Sequence, residues 1–173
     1  MKKDLKNIAY IDNTNLYKGS EAEGFKIDYI KFRKYLENKH GVKIAYMFIG
    51  FVLGNEEMYK QFQEWGYTLV FKPTIPNGNG IKGNCDAELV LQATSDFYEN
   101  KFNNAILVSS DGDFACLVKF LIKKNRFGFL LSPRESKKCS SLLKKIGTKI
   151  IFLPQIKEKI IYRNEKPPLK PKF

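Results

Sequence analysis

The sequence predicts a single α/β domain with a mainly parallel sheet, and three observations carry that prediction. Short apolar runs bounded by turn residues alternate with segments of helical period along the chain. The chain has 173 residues, the size of one ordinary domain and enough to bury roughly 70% of its unfolded surface. Hydrophobic residues make up 43% and charged residues 28%, a globular balance that excludes wholesale disorder.

The elements follow in order. Asn7 to Ile11 (NIAYI) forms a short buried strand, and a Gly- and Glu-containing loop comes after it. Ile27 to Asn38 is amphipathic, with Ile27, Ile30, Tyr35 and Leu36 near one face and His40-Gly41 closing the helix. Val42 to Val52 is continuous and β-rich, a central second strand. Asn55 to Trp65 forms a helix with Asn55 as N-cap and Glu56 and Glu57 in its first turn. Thr68 to Phe71 is a third strand, and Pro73 to Cys85, with two prolines and three glycines, is one long loop. Asp86 to Tyr98 forms a helix with Leu89, Val90 and Ala93 inward, followed by a fourth strand, Ala105 to Val108. Asp113 to Lys124 is helical, Phe127 to Leu131 a fifth strand, Glu135 to Ile146 a basic helix and Ile150 to Leu153 a sixth strand. The domain is expected over residues 1–153. Residues 154–173 form a basic, Pro/Lys-rich extension, partly disordered from Arg163 on.

Charge is distributed unevenly. Residues 1–113 carry 14 Lys/Arg against 15 Asp/Glu, whereas residues 114–173 carry 16 against 3. The whole net charge of +12 therefore comes from the last third, as on a surface that holds a polyanion. Three unpaired cysteines and one histidine exclude a disulfide framework, a Cys-rich zinc module and an HExxH site. No apolar run approaches the length of a membrane span. A cytoplasmic protein with no membrane contact is expected.

Four of the seven aspartates stand where a strand hands over to a helix or a helix begins. Asp12 ends the first strand in YIDNTNL, Asp111 and Asp113 end the fourth in LVSSDGDF, and Asp86 opens the intervening helix. In an open parallel sheet the ligand crevice lies at the carboxyl ends of the strands where the winding order reverses. For the strand order 3-2-1-4-5 that point falls between strands one and four, and the two acidic ends become neighbours. Converging carboxylates repel unless a cation sits among them, and an oxygen-only donor set favours Mg²⁺ or Mn²⁺. Asn13, Asn15 and Ser109 can supply hydrogen bonds that orient the carboxylates. Singly, Asp86 and Asp113 read first as helix caps, and it is the four acids together that point to a metal site. GNGIKG at 78–83 matches GxGxxG only formally, since it lies far from the turn after the first strand and has no acid about twenty residues on.

YIDNTNL at the first strand, KGNCDAEL at the third helix and LVSSDGDF at the fourth strand together resemble the NYN domain, the LabA-like branch of the PIN-like nuclease superfamily. The resemblance spans about Asn7 to Leu153. It implies a Rossmann-like three-layer sandwich with a central sheet of five to six strands, a divalent-metal centre and cleavage of RNA. On matching positions it implies Asp12, Asp86, Asp111 and Asp113 as the catalytic, metal-holding acids, with Asn15 as the family's asparagine. Asn13 stands where the family commonly has a small residue, and Cys85 where it often has an aliphatic one.

These lines lead to a metal-dependent endoribonuclease. Lys82, Lys123, Lys124, Arg126, Arg134, Lys137, Lys138, Lys144 and Lys145 are the candidates for the nucleic-acid backbone. RNA is favoured over DNA, and a homodimer is left open. Two alternatives stay alive: an RNA-binding module without turnover, and a phosphohydrolase of the haloacid-dehalogenase type that uses Asp-x-Asp after a strand.

Overall fold

The computed structural model describes residues 6–73, 75–77, 80–82 and 85–162, with side chains left undescribed over 73–84. Six strands form one parallel sheet: β1 (Asn7–Asp12), β2 (Val42–Phe51), β3 (Thr68–Pro73), β6 (Ala105–Val108), β7 (Phe127–Ser132) and β8 (Ile150–Phe152). Their spatial order is β3-β2-β1-β6-β7-β8. The winding thus runs outward one way from β1 and the other way from β6, as in a doubly wound α/β sheet.

Helices cover both faces. Successive strand residues point to opposite sides, so β1 sends Ala9 and Ile11 into one core and Ile8 and Tyr10 into the other. The first core packs Ile11, Met47, Ile49 and Val108 against Leu16 of α1 (Asn13–Ala22), Phe32 and Leu36 of α2 (Tyr29–His40), and Met58 and Phe62 of α3 (Glu56–Glu64). The second packs Tyr10, Phe48, Leu107 and Leu130 against Leu89 and Ala93 of α4 (Asp86–Tyr98) and Leu117, Val118 and Leu121 of α5 (Ala115–Lys123). Both faces of β1 are buried, which is why that strand reads as a continuous apolar run. Each large side chain so buried contributes about 1.5–3 kcal/mol.

Four expectations need correction. The loop expected after Asp12 is the helix α1, in which only Leu16 is a buried large apolar residue; a helix with so narrow an apolar stripe leaves no periodic signal. It starts because Asp12 caps it, the carboxylate accepting the Asn15 N–H at 3.0 Å. The expected long loop contains an antiparallel pair, β4 (Ile75–Asn77) with β5 (Gly80–Lys82). The two Asn-Gly steps at 77–80 are hairpin chemistry that the loop assignment passed over. The basic helix expected over Glu135–Ile146 shrinks to α6 (Ser141–Lys145). Ser140 leaves the helical conformation, caps α6 by accepting the Leu142 N–H, and sends its own N–H to the Ser110 carbonyl. Packing also continues past Leu153, where the domain was expected to end: a 3-10 turn spans Leu153–Lys159, Ile160 is fully buried, and Ile161 bridges to Ile27. The segment from Arg163 on lies outside the described residues.

Among the described residues no helix is long and apolar enough to cross a membrane.

Candidate metal centre

The site grows out of the sheet register. Ile11 of β1 pairs with Val108 of β6, so the two strands end side by side at the reversal of winding. Each then turns into a helix whose first residues carry the acids. Asp12 caps α1, and Asp111 caps the 3-10 turn Gly112–Phe114 by accepting the Asp113 N–H at 3.0 Å. Asp86 opens α4, whose N-terminus comes up from the second core to the same edge. Three helical starts with their positive dipole ends thus meet at one crevice.

One carboxylate oxygen each from Asp86, Asp111 and Asp113 lies within 4.8 Å of the others. Asp12 borders the same crevice from the strand side, in a cleft of about 260 Å³ also lined by Thr14, Asn15, Lys18, Phe48, Cys85, Ser110, Arg134 and Lys138. Burial pushes the Asp12 carboxyl up to about 6 from its usual 3.8. The Asn15 N–H and the Ser109 hydroxyl pull it down, while the negative charges of Asp86 and Asp111 push it up. Asp86 is raised as well, first by burial and then by Asp111 and Asp113. Such a group is costly as the protein stands, and it is the donor set that a hard divalent cation fits.

A hydrogen-bond lattice holds the acids in place. The Ser109 hydroxyl donates to Asp12 Oδ2 at 3.2 Å and accepts the Asp111 N–H at 3.1 Å, coupling the two strand ends through one buried side chain. Asn15 Oδ1 accepts both the Ser110 N–H and its hydroxyl, each at 2.9 Å. Gly112 is required here, because a Cβ at that position would run into the Ser140 hydroxyl.

The residues expected for the site therefore divide. Asp12, Asp86, Asp111 and Asp113 converge, with Asn15 and Ser109 bracing them. Asn13 turns away: it is fully buried and its Oδ1 accepts the Tyr29 hydroxyl at 3.0 Å, inside the first core. Of the nine candidate cations, Arg134 and Lys138 line the cleft. Lys123 and Arg126 belong to the opposite end of the sheet, since α5 runs back from the site and Arg126 immediately precedes β7. There Arg126 donates to the Phe102 carbonyl and to Asn100 Oδ1. Lys124 stacks on Phe97 and Phe120 at that end. Lys137, Lys144 and Lys145 are exposed around α6, with Lys144 bonded to the Ser136 carbonyl. Lys82 falls on β5, and its side chain is outside the described residues. Lys18 and Thr14 escaped the sequence analysis because α1 was taken as a loop; as a helix, Asn15 and Lys18 stand at i and i+3 on one face.

A doubly wound parallel sheet with a carboxylate cluster at its switch point defines an acidic-site α/β domain of the Rossmann-like kind. The family can be named: residues 7–154 match the NYN domain, and the chain belongs to that family. NYN domains are part of the PIN-like nuclease superfamily, whose members are generally metal-using hydrolases of nucleic acid. In three dimensions the chain is similar to the crystal structure of a protein of unknown function, VPA0982, from Vibrio parahaemolyticus RIMD 2210633. The TM-score is 0.74 at 21% identity, covering 94% of this chain and all of that one, a likeness of fold. No curated protein matches the sequence.

Proposed function

We propose that the protein is a metal-dependent endoribonuclease that hydrolyses RNA phosphodiester bonds. The observation that carries this is the convergence of four carboxylates at the switch point, three of them within 4.8 Å, with Lys18, Arg134 and Lys138 lining the same cleft as Asp12, Asp86 and Asp111. Asp86, Asp111 and Asp113, with Asp12 beside them, would hold Mg²⁺ or Mn²⁺. Such an ion supplies a nucleophilic water at neutral pH and neutralises charge on the phosphoryl oxygens.

The chain's own residues supply placement. Ser109 keeps Asp12 and Asp111 at a fixed spacing through its two hydrogen bonds. Asn15 ties α1 to the Ser110 turn, linking the segments that follow β1 and β6. Phe48 and Cys85 form the apolar floor, which lowers the local dielectric and strengthens every charge interaction above it. The Cys85 thiol is pushed up to about 11 by burial and by nearby carboxylates, so it is a protonated wall residue and no nucleophile. The RNA assignment follows the family, and the basic side chains take the backbone without reading sequence.

The test is cleavage of a labelled mixed RNA pool with Mn²⁺ or with EDTA, using wild type and Asp111→Asn. Cleavage that requires the ion and falls about a thousandfold in the variant is expected, the scale of losing a cation that stabilises transition-state charge. An Asp111→Asn protein that folds and cuts at the wild-type rate would falsify the proposal. Binding without cleavage by wild type would instead support an RNA-binding module.

A further inference from the structure

One long face of α4 is covered by the domain, and the opposite one is not. Leu89, Ala93 and Asp96 make the buried stripe. Half a turn around the helix stand Ala87, Leu91, Thr94 and Tyr98, at spacings of four, three and four residues. That spacing makes a straight stripe, the seam by which one helix packs on another. Leu91 is 69% exposed and Tyr98 71%. Ala87 is exposed as well, Thr94 is half-buried, and none of the four is charged. None of them lines the acidic cleft. An apolar stripe on the outer side of a helix that already has a buried face is a surface for a partner.

Side-chain size along the stripe points to a second copy of this chain. The order is small, large, small, large: Ala87, Leu91, Thr94, Tyr98. A second α4 laid antiparallel, with the two-fold axis between Gln92 and Ala93, sets Tyr98 against Ala87 and Leu91 against Thr94, and symmetry repeats both contacts. Large side chains then fill the places that small ones leave. A parallel copy would set Tyr98 on Tyr98 and Ala87 on Ala87, crowding one end and leaving a gap at the other. Charge favours the same arrangement. α4 and α5 run side by side in one direction: Asp86 and Asp113 meet where the two begin, and the Phe97 and Phe120 rings lie 5.3 Å apart near their ends. The starting end carries Asp86, Glu88 and Asp113. The finishing end carries Lys123 and Lys124, with Lys124 Nζ 5.9 Å from the centroid of the Phe97 ring. In the antiparallel pair Phe97 stands level with Glu88 of the other copy, so each lysine end comes to an acidic end. The parallel pair would bring acids to acids and lysines to lysines.

We infer that the protein pairs with a second copy of itself through α4, antiparallel, in a two-fold interface centred on Leu91 and Tyr98. The inference goes beyond the nuclease proposal and does not depend on it. An interface built mainly from one helix of each copy is of modest area, so the dimer is reversible, with a Kd on the order of 10 μM. It leaves the mouth of the acidic cleft of each copy clear of the seam.

The experiment is sedimentation velocity of the full chain in EDTA over a concentration series, at low and at high salt, with circular dichroism to verify folding. Wild type is expected to pass from monomer to dimer as concentration rises, and salt is expected to weaken the dimer. Leu91→Glu puts a carboxylate from each copy into the seam and should raise Kd at least about thirtyfold, and Tyr98→Ala should raise it about tenfold. Lys123→Glu combined with Lys124→Glu should raise it about fivefold at low salt and remove most of the salt dependence. Leu91 and Tyr98 are exposed, so their replacement spares the core. The register is read by mixing. Leu91→Lys and Thr94→Glu should each be monomeric alone, and an equal mixture should dimerise, because only the antiparallel pair sets the introduced positive charge against the introduced negative one. A wild type that stays monomeric throughout would overturn the pairing and leave the stripe to a different protein. A dimer unchanged by Leu91→Glu would overturn the α4 interface, and a mixture that stays monomeric would overturn the antiparallel register. Cleavage is not read in this experiment, so a failure of the dimer leaves the nuclease proposal standing.

Discussion

The two ends of α4 present the same residue type in opposite circumstances. Asp96, in its last turns, is fully buried and fully provided for. It accepts from the Tyr10 hydroxyl at 2.9 Å, from Gln92 Nε2 at 2.9 Å and from Lys101 Nζ at 3.1 Å. Asp86, at its first residue, faces Asp111 and Asp113 and is raised by burial and by both. Only ten residues, about 15 Å of helix, separate a carboxylate held by three donors from one crowded by two other carboxylates. At the amino end of the sheet charge serves cohesion. At the carboxyl end acids of three segments gather on one another, the arrangement on which the proposed function rests.

The contrast can be broken from either side. The largest stability effect is expected at the satisfied end: Asp96→Ala strands the Tyr10 hydroxyl and Gln92 in the second core and should cost about 3 kcal/mol in urea unfolding. Next comes the ion itself. Mn²⁺ at about a hundred times its Kd should stabilise wild type by about 2.7 kcal/mol, roughly a 5–10 °C rise in Tm, and Asp86→Asn or Asp111→Asn should abolish that rise. A metal-induced rise that survives both substitutions would place the ion elsewhere.

A third effect has the opposite sign from Asp96→Ala. Asp12 titrates at about 6 in the folded protein against 3.8 in an unfolded chain, so its contribution to stability is fully present below about pH 4 and is lost as pH rises through 6. Asp12→Asn keeps the cap on α1 and removes the buried charge. In EDTA at pH 7.5 it should raise stability by about 1–2 kcal/mol, with the difference from wild type opening between pH 4 and 6. A variant less stable than wild type under those conditions would show that the charged cap outweighs the burial. The smallest effect is expected from Asn13→Ala, which removes the acceptor of the Tyr29 hydroxyl. It should cost about 1 kcal/mol and leave cleavage within twofold, whereas Asn15→Ala should reduce cleavage.

Much of this was legible in the residues because the fold is locally consistent. The expected helix Asp86–Tyr98 and strand Ala105–Val108 coincide with α4 and β6. Both have strong patterns: an acid at the start and a clear apolar face in one, an unbroken AILV run in the other. The strand order was a condition of the site reading and not a result of it: only an order with the first and fourth strands adjacent brings their aspartates together, and the sheet has that order. What failed did so for physical reasons. Asn13 and Asn15 are two residues apart on a helix, about 200° around its axis, so they cannot face the same crevice; taken as a loop, the pair looked equivalent. The Glu135–Ile146 stretch is rich in serine, and Ser140 spends its hydroxyl and N–H on a cap and on Ser110 rather than on continuing a helix.

By itself the sequence determined the class of the domain, the identity of the acids and the asymmetry of charge, because period, turn chemistry and residue type are properties of neighbours along the chain. The tertiary structure alone decided which charges meet. It set Asp12 beside Ser109 across 97 residues and gathered Arg134 and Lys138 around Glu23. It also sent Lys123 and Arg126 to the other end of the sheet. Those outcomes depend on strand order and on the direction in which each helix returns, and neither is written in any local stretch of residues.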